Sequence, residues 1–140
     1  CKRGPSWPDN WRLKLQMKKV LRTSRAPKMM VYACSGGSAA GELADRVARR
    51  LSRNGVAEMA CLAAVHSRSE EAMDRLAAAV QVFVLDGCPE SCARNILEQA
   101  GCGKLKYVGL HELGVRKNGC PVTEEQIAAT TDVAMRLINF

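Results

Sequence analysis

Val82-Phe83-Val84-Leu85-Asp86-Gly87-Cys88-Pro89-Glu90-Ser91-Cys92-Ala93-Arg94 is the stretch on which the reading of the fold turns. Val82 to Leu85 is an apolar run of β-branched and aromatic residues closed by a turn signal, the pattern of a buried strand. Pro89 suits the first turn of a helix, where its missing N–H is not needed. Cys88 then ends a strand, and Cys92 follows one helical turn later. Residues four apart share a helix face, with Cβ atoms about 5–6 Å apart. A disulfide needs Cβ atoms near ~3.8 Å, so an undistorted helix favours a bridging metal over a direct S–S bond.

Outward from this unit the chain repeats the same rhythm. Met29–Ala33 reads as a short apolar strand, followed by the turn Ser35-Gly36-Gly37-Ser38. A helix then runs to Arg53 with Leu43, Val47 and Leu51 on one face, and Asn54-Gly55 supplies its C-cap. Ala57–Leu62 reads as the second strand, and Ser67-Arg68-Ser69-Glu70 as a capping box for a helix that buries Met73, Leu76 and Val80. The helix after Asp86 sets Cys92, Ile96 and Ala100 in line before Gly101. Lys104–Leu110 is the fourth strand, residues 111–118 a turn, and Thr123-Glu124-Glu125-Gln126 caps a last helix carrying Ile127, Thr131, Ala134 and Ile138. Strands alternating with helices mean parallel βαβ units with right-handed crossovers. The expected fold is a three-layer α/β/α sandwich, Rossmann-like, with a four-stranded parallel sheet in the order 2-1-3-4.

The 140 residues are enough for one domain with its own core. The formal charge of +7 invites a nucleic-acid reading, but its distribution opposes one. Residues 1–28 hold nine Lys or Arg against Asp9, a balance of +8, while residues 29–140 hold twelve against thirteen acids, a balance of −1. The basicity belongs to an N-terminal extension, residues 1–28, and no specific nucleic-acid partner is expected for the domain at 29–140. Leu13, Met17, Val20 and Leu21 fall at helical spacing among lysines in that extension, a pattern able to touch an anionic surface. No membrane span and no signal peptide are expected. Seven cysteines then point to a reducing, cytoplasmic setting in which thiols serve metals or chemistry.

In open parallel sheets the functional crevice lies beyond the carboxyl ends of the strands, where strand order reverses. Cys34 ends strand one, Cys61 lies near the end of strand two, Cys88 ends strand three and Cys92 opens the next helix. With order 2-1-3-4, Cys34 and Cys88 meet at the switch point. Two helix N-termini point there, and their free N–H groups favour thiolate over thiol. Zinc takes thiolates in a tetrahedron, and a closed set of four is the structural kind. Arg116 and Lys117 would offset its charge if their loop folds over the site.

Other residues carry less. Cys1, Cys102 and Cys120 read as incidental thiols. His66 and His111 follow strands two and four on the same edge and could replace a thiol or hydrogen-bond to one, although solvated loop histidines are the commoner case. Asp86 orients the turn through backbone N–H groups. Gly-x-Gly-x-x-Gly and the Gly-Lys-Ser/Thr ending of a P-loop are absent. Ala40 stands six positions after Cys34, where cysteine phosphatases need Arg, and no Gly-x-Ser-x-Gly elbow occurs.

Together, Ala33-Cys34-Ser35-Gly36, Gly41-Glu42-Leu43-Ala44-Asp45, Met59-Ala60-Cys61-Leu62-Ala63, Asp86-Gly87-Cys88-Pro89 with Cys92-Ala93, and Leu113-Gly114-Val115-Arg116-Lys117-Asn118 resemble the DGC-domain family, described as zinc-binding proteins. The resemblance runs from about Met29 to Asn118 and implies a zinc ion held by Cys34, Cys61, Cys88 and Cys92; four thiolates leave no open position for water, so the expected role of the metal is structural or sensory. Relatives often read Cys-Ser-Gly-Cys where this chain has Cys34-Ser35-Gly36-Gly37, so a vicinal thiol at that turn is missing. The alternative from another class is a thiol redox enzyme or sensor using Cys34, Cys88 and Cys92. A third is a module that binds an anion at the glycine turn.

Overall fold

Strand β3 (Gln81–Asp86) lies at the centre of the sheet because both of its faces are apolar. Its burial is continuous from Val82 to Asp86, the mark of a parallel strand covered on both sides. In the computed structural model, which describes residues 29–103 and 105–139, β3 pairs in parallel with β1 (Met29–Ala33) through the register Met29–Gln81 to Ala33–Leu85. On its other side it pairs with β4 (Leu105–Gly109), Val82 opposite Leu105 and Asp86 opposite Gly109. Strand β2 (Glu58–Met59) adds to the outer edge of β1. The sheet is all parallel, as the alternation of strand and helix predicts, and its order is the expected 2-1-3-4. The basic extension and its helical spacing, and the expected strand start at Lys104, lie outside the described residues.

Alternate side chains sort the core into two layers, as the period of two along a strand requires. Val31, Ala33, Phe83, Leu85 and Val108 face helices α1 (Ala39–Arg53) and α5 (Glu124–Ile138), meeting Leu43, Val47, Leu51, Ile127 and Ala134. Met30, Tyr32, Val82 and Val84 face α2 (Leu62–His66), α3 (Glu70–Ala78) and α4 (Cys92–Gln99), meeting Val65, Leu76, Ala93 and Leu97. The result is the three-layer sandwich. Helix α1 starts on a Ser38 cap and ends on Asn54, with Gly55 in the left-handed region at φ 71°. Helix α5 starts on a full capping box, the Thr123 hydroxyl accepting from the Gln126 amide and the Gln126 side chain from the Thr123 amide. Among the described residues no helix is long and apolar enough to cross a membrane.

Four expectations change. Strand two is two residues long rather than the span 57–62. The Met59 amide turns outward to the Ser52 hydroxyl at 3.2 Å, and after Ala60 the chain enters α2. The region after it is two helices, and the Ser67 box does not form. Ser67 ends α2 with its hydroxyl on the Ala64 carbonyl, and Ser69 is the N-cap of α3. Val80 is 69% exposed, and Ala79 fills the buried position instead. Finally, Pro89 lies in a tight turn closed by the Ser91 amide on the Cys88 carbonyl. The helix starts only at Cys92, with Ser91 left-handed at φ 49°. Cys88 and Cys92 therefore do not share a helix face, and Cys92 is exposed while Ala93 and Leu97 form the buried stripe.

Candidate functional site at the carboxyl rim of the sheet

Parallel pairing of β1 with β3 carries both chains out of the sheet side by side, so Cys34 and the Gly87-Cys88 pair meet at the switch point. The pairing continues one step beyond the strands, with the Cys34 amide on the Leu85 carbonyl at 3.1 Å. The Gly87 amide in turn donates to Cys34 Sγ at 3.3 Å. Burial pushes the Cys34 thiol above its ordinary pKa; the Gly87 and Gly36 amides pull it down, and the nearby Asp86 and Cys88 push it up further.

Two glycines let helix α1 come this close. A Cβ on Gly87 would stand 2.5 Å from the Ala40 carbonyl carbon, and one on Gly41 would stand 2.6 Å from the Gly36 oxygen. These distances lie inside any real contact, so the sequence Asp-Gly-Cys has glycine for lack of room. The Ser35 turn, left-handed at φ 43°, is fixed by its hydroxyl donating to Asp45 Oδ1 at 2.8 Å. Arg49 Nε donates to the other oxygen at 2.6 Å. Against a burial that would raise it, Arg49 and Ser35 hold the Asp45 carboxyl below its usual range.

Asp86 is 1% exposed and does the work expected of it at the next helix. Its Oδ1 accepts from the Ala93 amide at 2.9 Å and its Oδ2 from the Arg94 amide at 3.0 Å. The N-cap Ser91 makes no side-chain cap bond, so the last residue of β3 caps α4 from across the turn. Donors at α1 are also taken, the Ala40 amide by the Lys117 carbonyl at 3.3 Å and the Gly41 amide by the Ser38 hydroxyl at 3.2 Å. The expected pair of free helix N-termini aimed at the thiols is thus corrected. Two amides in each first turn are taken from within the chain, Ala93 and Arg94 in α4 and Ala40 and Gly41 in α1, which also weakens the glycine turn as an anion cradle.

The loop 114–120 folds over the rim. Lys117 pairs with Glu90, and its ammonium is held above the usual range by that bond, with Cys88 and Cys92 adding in the same direction. On the β4 side the Ser91 hydroxyl meets the Tyr107 hydroxyl at 2.8 Å, and the Arg94 guanidinium sits 5.1 Å above the Tyr107 ring. His111 packs on Gly109, and its Nδ1 is buried without a hydrogen-bond partner among the described residues. His66 is exposed. The Ser91–Tyr107 contact carries no sequence signal, because it depends on the left-handed turn at Ser91.

The four sequence-predicted thiols are therefore distributed unevenly. Cys34 and Cys88 are half-buried and close together, whereas Cys61 and Cys92 are exposed. Cys61 is the N-cap residue of α2 and lines a recess with Tyr32 and Arg75. Among the described residues no three His, Cys, Asp or Glu side chains are gathered to hold a metal ion. Four cysteine sulfurs are the donor set that zinc prefers, and all four residues leave the same end of the sheet. The donors fit zinc in kind and in their place on the rim, while their side chains as they stand do not form a cage.

Comparison with known proteins supports the frame of this site. The anaerobic and virulence modulator AnvM of Pseudomonas aeruginosa is 34% identical over 96 residues, covering 69% of this chain and 73% of the relative. No solved structure gives a significant match. Residues 30–134 match the family model of the DGC domain, from the first strand to the last helix and across all four rim thiols. The fold, the Asp86-Gly87-Cys88 turn and this match together place the chain in the DGC domain family.

Proposed function

We propose that this domain holds one zinc ion at the carboxyl rim of its sheet through Cys34, Cys61, Cys88 and Cys92, in a structural or sensory role. The observation that carries the reading is the Cys34–Cys88 junction. A thiol whose burial holds its proton is a weak nucleophile, and a bound cation is the partner that removes such a proton. Cys61 and Cys92 are exposed, and a closed cage requires both side chains to turn toward the junction. When bound, four thiolates leave no open position for water, which suits a structural or sensing role rather than hydrolysis. A reducing, cytoplasmic setting would keep the four thiols available.

Metal content of the chain purified without added zinc tests this. The expected result is near one equivalent per chain, lost in C34S and C88S, with the four thiols protected from labelling. Less than about half an equivalent, with all four thiols freely titratable, would overturn it.

The same junction supports a second reading, a dithiol couple. A peroxide would oxidise one of the two thiols to a sulfenic acid with loss of water; the second thiol would then displace a second water to form the Cys34–Cys88 disulfide. Burial raises the Cys34 thiol and so disfavours its thiolate, which leaves Cys34 the resolving thiol in this reading. This reading predicts fast alkylation of Cys88 near neutral pH and a disulfide after mild oxidation; equal, slow labelling of all four thiols would sink it.

A further inference from the structure

A recess of about 160 Å³ opens at the amino end of the sheet, opposite the thiol rim. Met73, Leu76 and Ala77 of α3 line it, with Val82 of β3 and with Ala100 and Cys102 after α4. Val80, which stands in the chain between the lining residues Ala79 and Val82, is the most exposed large apolar side chain among the described residues. The surroundings are acidic. Glu70 lies one turn before Met73 on the same face of α3; Glu71 and Asp74 are exposed beside it. None of these three makes an ion pair among the described residues. Both α3 and α4 end at this recess, and α4 has no basic residue in its last turn, so the helix dipoles add negative potential.

We propose that residues 13–21 of this same chain dock here as an amphipathic helix, with Leu13, Met17, Val20 and Leu21 against Val80 and the recess and the lysines toward Glu70, Glu71 and Asp74. An apolar hollow flanked by negative charge calls for a basic amphipathic segment, and the sequence holds one: Lys14, Lys18, Lys19 and Arg22 stand around that apolar stripe. Its attachment point is beside the recess, because Met29 pairs with Gln81, the residue before Val82. Seven residues, 22–28, join Leu21 to β1, a reach of up to about 23 Å when extended. So short a linker makes the docking an intramolecular event at high effective concentration. A helix this short is marginal alone in water and takes its order from the surface that covers its apolar face; seating such a face in a groove is a recurrent mode of recognition. The contact lies at the opposite end of the sheet from the proposed zinc ligands and does not depend on metal.

Nuclear Overhauser contacts in the full chain test this, with labelled and unlabelled copies mixed to tell contacts within a chain from those between chains. Met17 and Leu21 should show contacts to Ala77 and Val80 within one chain. L21D and V80S should each lose them and leave the thermal midpoint unchanged, since Val80 is exposed. Both variants should also speed alkylation of the half-buried Cys102 by about tenfold, the scale of uncovering one apolar side chain. L15D adds the same charge on the opposite face of the segment and should change neither readout. Contacts found only between copies, no contacts at all, Cys102 labelling unmoved by L21D and V80S, or a loss in L15D equal to that in L21D would overturn the proposal.

Discussion

At Gly87 a single hydrogen atom in place of a methyl group decides whether helix α1 can lie against the end of β3. The Cβ of an alanine would meet the Ala40 backbone at 2.5 Å, and backbone cannot rotate away as a side-chain tip can. G87A should therefore cost about 1–3 kcal/mol, the usual range for overpacking. Gly36 offers the matched control, since a Cβ there meets nothing within 4 Å. Thermal melts should show G87A well below the parent and G36A close to it; equal midpoints would refute the steric account. Of the thiols, the meeting of Cys34 with the Gly87-Cys88 turn was legible, because both follow apolar strands of a parallel sheet read in the order 2-1-3-4. The solvent exposure of Cys61 and Cys92 was not, because it depends on where two helices start.

Element boundaries near the rim follow competition between caps. Ser67 and Ser69 both offer a hydroxyl ahead of Glu70, and the spacing of Ser67 with Glu70 matches a capping box. In the fold the Ser67 hydroxyl closes the preceding helix instead. Pro89 is equally at home at the second position of a turn and the first of a helix. The outcome there is set by Asp86, whose carboxyl already occupies the amides of Ala93 and Arg94 and so fixes α4 to begin at Cys92. That bond predicts that D86A destabilises by about 1–3 kcal/mol, leaving one buried and one half-buried helix donor unmet, and speeds amide exchange of Ala93 and Arg94 before that of β3. Uniform exchange across α4 and β3 would contradict it. The capping box at Thr123 and the Asn54-Gly55 stop were legible, since no rival cap stands beside them.

Across the whole molecule, the buried Tyr32 and the half-buried Cys34 link stability to alkaline pH. Burial pushes Tyr32 up to about 12, with Arg75 opposing and Cys102 and Cys61 assisting, and it raises the Cys34 thiol. Both groups keep their protons longer folded than unfolded. The stabilisation is complete at neutral pH and is lost as pH rises past the unfolded thiol and phenol values. For Tyr32 the loss falls between pH 10 and about 12, at about 1–2 kcal/mol after screening by the open recess. Denaturation of metal-free protein at pH 7, 10 and 11.5 should show the decline, and Y32F should flatten its upper part. A parent curve unchanged above pH 10 would rule this out.

The close approach at Gly87 also has an evolutionary consequence. A lineage that widens position 87 must lift α1 away from the sheet or rebuild the chain at Ala40, and lifting α1 would carry the Cys34 turn with it. Substitutions at 40, 41 and 87 should then be inherited together rather than singly, and homologues that break the glycine at 87 should differ in their thiol complement as well.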